Sequence, residues 1–441
     1  MTGSGLRRIV LTGAVLLGAV GARALPLPSS LLGAPSQLLG GVVPPVSASS
    51  SPTGGLANDL GVSRLSEGID ALSLVDLRRQ RLRALVQDNH RVLEMDAAGN
   101  PIRRAEIIAI DPSAADLAAI QTAGFRQLRE DRAPDLGISL VVLAPPRGNS
   151  AVAGLKILRS LSPAGHFELN HVFEPAGADL GTVGGDRRAS SSAAAPIGMV
   201  DGGVAAHPSL VGATIEQRSF ASGGPRPTGH GTAIASLLVG DDGAFQGAAR
   251  GRSLLVADVY GGRAASGSAE AIVEGFAWLA SRRVRVITIS LVGPPNEVLK
   301  RGVDALLARG FLVVAAVGND GPAAPPLYPA SYPGVVSVTA VDACNRALLE
   351  AGHASHINFA APGADMAVAL PGHGYGVVRG TSFAAPLVAA RLALAGGNRE
   401  SALSIVSAEA APGKGMVGVG VVCQSCRVDP RSVRAKRQLA P

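Results

Sequence analysis

Residues 284–321 read VRVITISLVGPPNEVLKRGVDALLARGFLVVAAVGNDG. Two apolar, β-rich runs, Val286 to Leu291 and Phe311 to Val317, enclose a helical stretch. On that stretch Val298, Val303 and Leu306 fall loosely on one face. A strand apolar at nearly every position is buried on both sides, which argues for a parallel sheet covered by helices. Similar runs occur at Ile197 to Val200, Leu254 to Val259 and Val335 to Val341, and Ile272, Phe276 and Leu279 mark another helix. Residues 196–422 therefore predict a three-layer α/β domain with a mainly parallel sheet.

Upstream the pattern differs. Over 105–173 the order is βαββαβ, the split-βαβ arrangement. Its strands are expected at Glu106 to Ile110, Phe125 to Glu130, Ile138 to Leu143 and Phe167 to Phe173. Asp111 is the expected cap of the first helix, with Pro112 in its first turn, and Gly124 its stop. Asn149 or Ser150 caps the second. Residues 174–195 are a Gly/Ala/Ser linker, a composition open to proteolytic nicking. Residues 25–104 combine a Pro/Ser/Gly-rich linker with a helical stretch near 63–87 that carries arginines. Residues 1–24 have the plan of a secretory signal peptide: Arg7 and Arg8, the apolar stretch Ile9 to Ala22, then Ala22-Arg23-Ala24. Cleavage there implies a secreted or periplasmic protein; without it the chain stays attached to a membrane. Residues 423–441 form a basic tail.

Composition narrows the function classes. The 441 residues are 47% apolar and 17% charged, which excludes a wholly disordered chain. The net charge of +7 sits at the two ends, while residues 197–397 carry 14 basic and 13 acidic side chains. No basic stripe or nucleic-acid module is visible, so nucleic acid is not an expected partner. Gly413-Lys414-Gly415-Met416-Val417-Gly418 matches a dinucleotide fingerprint by letter but lacks the βαβ context. Cys423 and Cys426 are expected to form a local disulfide, leaving Cys344 free and buried.

Three motifs carry the chemistry. Val200-Asp201-Gly202-Gly203 ends a strand with a carboxylate, Gly229-His230-Gly231-Thr232 opens an apolar helix, and Gly380-Thr381-Ser382-Phe383-Ala384-Ala385-Pro386 puts a serine at another helix start. A serine hydroxyl is a poor nucleophile until a neighbouring base takes its proton, and histidine titrates near the working pH. A carboxylate holds the imidazole tautomer and stabilises the imidazolium. The carboxyl edge of a parallel sheet is where residues so far apart converge. Val317-Gly318-Asn319-Asp320-Gly321 follows a strand and offers an amide to a developing oxyanion, beside the backbone N–H of Ser382.

At these residues the chain resembles the subtilisin-like serine proteases, whose triad order is also Asp, His, Ser. The resemblance covers about 196–422. It implies that Asp201 orients His230, that His230 is the general base and Ser382 the nucleophile, and that Asn319 lines the oxyanion hole. It implies that Ser290, Leu291, Val292 and Gly293 pair with an extended substrate beside the pocket for its first side chain. It makes 105–173 a propeptide, an intramolecular inhibitor removed by cleavage in the linker. Gly202 departs from the family's frequent Thr or Ser, and Ala233-Ile234 replaces its commoner His-Val. The expectation is an exported, monomeric serine endopeptidase acting on polypeptides through an acyl-enzyme. No cofactor is required for the chemistry, and structural calcium, though a family feature, maps to no ligand. The competing class is a catalytically inactive exported binding protein on the same fold.

Overall fold

The computed structural model describes residues 71–177 and 195–436. Among them seven strands form one parallel sheet. Their order is Phe359–Pro362, Val336–Val341, Leu312–Ala316, Val286–Ile289, Ile197–Asp201, Leu254–Asp258 and Ile215–Ser219. Successive side chains of a strand enter opposite layers. Met199 and Val314 join the core that holds the helices Gly229–Val239 and Ala385–Ala395. Val200 and Val313 join the core that holds Ala269–Ala280 and Glu297–Ala308. Six of the seven strands are buried at every position, which is why they read as unbroken apolar runs; the edge strand Ile215–Ser219 is only partly covered and carries polar residues. The three-layer expectation holds. Ile197–Asp201 lies inside the sheet, and the chain visits one side of it and then the other. Its carboxyl end therefore opens at a topological switch point.

The upstream unit is an antiparallel sheet in the order Arg126–Ala133, Ile138–Ala144, Pro101–Ile110 and His166–His171. Leu93–Met95 pairs with the start of the third of these. Ile107, Val141 and Leu143 face its own helices, Ala114–Thr122 and Ala151–Leu161. Ile108, Leu140 and Val142 face the larger domain and share a core with Ile272 and Phe276. Period-two alternation thus gives this sheet two different partners.

Several expectations change. The strand expected from Glu106 begins at Pro101, and the helix expected near 63–87 is described as Ala71–Asp88. Ser113, not Asp111, caps the first helix, because Asp116 three residues on completes a reciprocal capping box. Asp111 instead adopts φ +48° and accepts a hydrogen bond from Ser139 N. Ser150 caps the second helix. Cys423 and Cys426 are disulfide-bonded, but Cys344 is exposed, since it lies in a surface turn closed on the Asp342 carboxylate. The domain does not end at 422. Val428 is buried in the core, and Arg427 donates to the carbonyls of Ala364 and Asp342. Part of the basic tail is therefore packed against the domain. Residues 1–24, 25–70, 178–194 and 437–441 lie outside the described residues.

Acidic groups crowd the join between the two sheets. Glu270 and Glu274 stand on the Ala269–Ala280 helix, facing Arg129 and Asp131 of the small sheet. Arg129 donates to Glu270 and Glu106, and Asn170 donates to both carboxylates. Desolvation leads in pushing Glu270 from 4.5 to about 7 and Glu274 from 4.5 to about 8. Asp131 adds to both shifts, and Arg129 opposes them. Because these values lie above the ordinary one, the folded chain holds extra protons in that interval. The join is therefore strongest at acidic pH and weakens as pH rises from 4.5 through 8. Glu274→Gln should relieve this, so the Tm advantage of the variant over the parent should widen between pH 5 and 8. A constant gap would contradict the assignment.

Candidate active site

Asp201 ends its strand, and its Oδ1 lies 2.9 Å from His230 Nδ1. The same oxygen accepts the N–H of Gly202 at 2.7 Å, so the carboxylate is held from two sides. Both side chains are buried. His230 occupies the first turn of Gly229–Val239, which Thr228 caps by accepting from Gly231 N at 2.9 Å. This helix comes unusually close to the loop after the strand. A Cβ on Gly231 would stand 2.3 Å from Gly202 O, and one on Gly202 would stand 2.2 Å from Thr228 Oγ1. The departure at Gly202 thus has a local cause: the capping Thr228 fills the space a larger residue would need. Ala233 and Ile234 are fully buried.

Ser382 lies in the short 3-10 turn Thr381–Phe383, just before the Ala385–Ala395 helix. Its hydroxyl and His230 Nε2 are buried and have no hydrogen-bond partner among the described residues. Both face Gly177. The position a Cβ would take on that residue is 2.2 Å from Ser382 Oγ and 3.2 Å from His230 Nε2. Residues from three distant parts of the chain therefore meet around one backbone position.

What fills the site is the end of the upstream unit. Glu174–Pro175 pairs antiparallel with Leu291–Val292, with Glu174 opposite Val292 and Pro175 opposite Leu291. Ala176 N donates to Ser290 O at 2.8 Å, and Phe173 N donates to Gly267 O at 2.7 Å. The segment is thus bound as an added strand between two walls. Ser290, Leu291 and Val292 all lie along it. Gly293 pairs instead with Tyr328, and a Cβ there would strike the Phe173 ring at 2.4 Å. Phe173 is fully buried, and Tyr260 donates its hydroxyl proton to Phe173 O at 3.1 Å.

Asn319 donates through Nδ2 to the carbonyl oxygen of Ala176. Its own Oδ1 accepts from Thr381 N at 2.9 Å, which fixes which way the amide points. Gly380 makes room, since a Cβ there would come within 2.9 Å of Asn319 Nδ2. The Ser382 N–H, expected as a second donor, makes no hydrogen bond to that oxygen among the described residues. The arrangement presents one carbonyl, Ala176, to a polarising amide, with a hydroxyl and an imidazole at the next residue.

Sequence reasoning missed Tyr260, Gly267 and Asp258. Asp258 ends the neighbouring strand, accepting from the N–H groups of Tyr260, Gly261 and Arg226. Desolvation pushes its carboxyl up, and nearby Asp201 adds to the effect. A carboxylate closing a strand was the available signal, shared with Asp201. Among the described residues no group of three or more His, Cys, Asp or Glu side chains is placed to hold a metal, so none is assigned to calcium.

Residues 194–409 match the Subtilase family model. Over 205 residues the chain is 33% identical to Subtilisin Savinase of Lederbergia lenta, covering 45% of this chain and 74% of that protein. The chain belongs to the subtilase family. It is also 36% identical over 203 residues to the Major intracellular serine protease of Bacillus subtilis (strain 168), covering 43% of this chain and 63% of that protein. Among solved structures, fervidolysin from Fervidobacterium pennivorans, a keratinolytic enzyme related to subtilisin, superposes with a TM-score of 0.62 at 18% identity. That match covers 76% of this chain and 62% of that one, and it shows the shared fold.

The close approach at Gly231 makes a specific demand on this subtilase. Gly231→Ala should cost ~1–3 kcal/mol, the usual penalty for overpacking a tight contact. The reading is a lower urea midpoint with unchanged slope. A variant as stable as the parent would show that the helix can retreat from Gly202.

Proposed function

We propose that this subtilase is a serine endopeptidase, made as an exported precursor and activated by cutting itself between Ala176 and Gly177. Ser382 Oγ adds to the substrate carbonyl while His230 Nε2 takes its proton. Asp201 holds the imidazole through Nδ1 and stabilises the imidazolium. The tetrahedral oxygen takes its charge beside Asn319 Nδ2. Collapse passes the proton from His230 to the departing amine and leaves an acyl-enzyme on Ser382. Water, deprotonated by the same imidazole, releases the acid. These steps require no cofactor, and a single chain supplies every group.

One observation carries this reading. The Ala176 carbonyl is held by Asn319 while the Ser382 hydroxyl and His230 Nε2 flank Gly177. The upstream unit then acts as an inhibitor whose own end fills the cleft. A fluorophosphonate should label the processed protein, whose N-terminus should be Gly177. Ser382→Ala should remain uncut and unlabelled. Labelling of that variant, or a folded parent that neither labels nor cuts, would reject the assignment.

The occupied cleft also indicates the substrate class. Side chains at alternate residues of paired strands share a face, which puts Ala176 and Val292 on the same side. Val292 is buried, and both its Cγ1 and Leu327 Cδ1 crowd the space over Gly318, at 3.5 and 2.8 Å from where a Cβ would stand. That narrows the pocket beside the cut to a residue the size of alanine, while the pocket holding Phe173 takes an aromatic three residues earlier. Val292→Gly should raise kcat/KM for peptides cut after Phe or Leu, relative to Ala, by roughly 10-fold or more, as pocket methylenes are worth. An unchanged ratio would place the size limit elsewhere.

A further inference from the structure

The Ala71–Asp88 helix belongs to neither the inhibitory sheet nor the parallel-sheet domain, yet it touches both. Leu85 and Val86 pack with Leu93 and Val172 of the upstream unit and with Ala265, next to the wall that binds Phe173. At its other end, Leu74 stands against Gly321, where a Cβ would come within 2.8 Å. The helix therefore crosses from one wall of the cleft to the other. Arg78 Nη1 donates to Asp320 Oδ2 at 2.5 Å, and Arg81 Nη2 donates to Asp320 Oδ1 at 3.1 Å. Arg81 also donates through Nε and Nη2 to Glu174, at 3.3 and 3.4 Å. Asp320 follows Asn319 in the chain, and Glu174 belongs to the bound strand. Side-chain exposure is 5% for Asp320 and 11% for both Arg78 and Glu174, while Arg81 is 38% exposed, so the Arg78–Asp320 pair is the buried part of the contact and not a surface pair of little consequence.

We infer that the Asp320–Gly321 shelf beside the oxyanion amide is a docking surface for an arginine-bearing amphipathic helix, whose occupant is residues 71–88 of this chain. The inference rests on the proposed cut after Ala176. Before the cut the helix straps the strand from above; afterwards it is the second anchor of a separate inhibitor chain. One planar guanidinium reaches two carboxylates on opposite sides of the contact, which an ammonium cannot do with comparable geometry. Helical spacing puts Arg78, Arg81, Leu82 and Leu85 on one face, while Arg79 points to solvent and pairs only with Asp76 of its own helix.

The test uses the full chain. After self-processing, the inhibition remaining on dilution gives an apparent Kd for the retained segment. Arg78→Ala with Arg81→Ala should raise that Kd by about 10-fold or more, equivalent to ~1.4 kcal/mol, and shorten the lag before activity appears. Arg81→Lys should fall between, and Arg79→Ala should match the parent. Equal Kd values for all four proteins would overturn the inference. A second measurement needs no catalysis. In full-chain Ser382→Ala, amide exchange over 74–86 should quicken on removing both arginines, while Pro101–Ile110 stays protected. Unchanged exchange over 74–86 would overturn the docking; quickened exchange in a protein whose parent never cuts would sustain it and reject the protease reading instead.

Discussion

Strands that run parallel in one sheet release their carboxyl ends along one rim, and everything chemical in this protein hangs on that constraint. Asp201 and Asp258 close neighbouring strands there, and Ser290 and Asn319 follow two others. The rim is stable because helices cover both faces, so only the edge strand Ile215–Ser219 carries a partly wet side. Burial also sharpens the electrostatics. The Asp201–His230 hydrogen bond lies in the interior, where electrostatic contacts are screened far less than at a surface.

The cleft is finished by a strand that belongs to another folding unit. Phe173 to Ala176 contributes backbone donors to Gly267 and Ser290, so its binding is mostly independent of side-chain identity. Side chains then select register. Phe173 can be buried only where Gly293 leaves space, and Gly177 alone fits beside the Ser382 hydroxyl. The upstream sheet supplies the rest of the grip through its second apolar face, on the Ala269–Ala280 and Glu297–Ala308 helices. Its join carries an acidic excess, and the helix above carries arginines, so one segment is held by an apolar face and two unlike polar contacts.

Local signals in the chain were reliable where one physical cause dominated. Unbroken apolar runs announced buried parallel strands, and the Asp, His and Ser motifs stand at a strand end, a helix start and a short turn before a helix. They failed where a nearby group competed for the same role or a neighbour far along the chain decided the outcome. Asp111 looked like a cap until Ser113 and Asp116 closed a box between themselves. Arg427 lay in what read only as a basic tail, but the turns around Val341 and Ala364 present carbonyls to it. Gly202 looked like an arbitrary departure, and only the approach of Thr228 explains it.

The order of residue types along the chain determined the fold class, the presence of a separate βαββαβ unit and the choice of Asp201, His230 and Ser382 as candidate reactive side chains, because each depends on periodicity or on short motifs. It also marked Asn319 and the Ser290 to Gly293 strand. Tertiary structure alone decided that Ala176 and Gly177 occupy the site, that Val292 narrows it and that Arg78 and Arg81 reach Asp320. These are contacts between segments some 100 to 240 residues apart, and no local pattern encodes which distant surfaces will meet once two cores have packed.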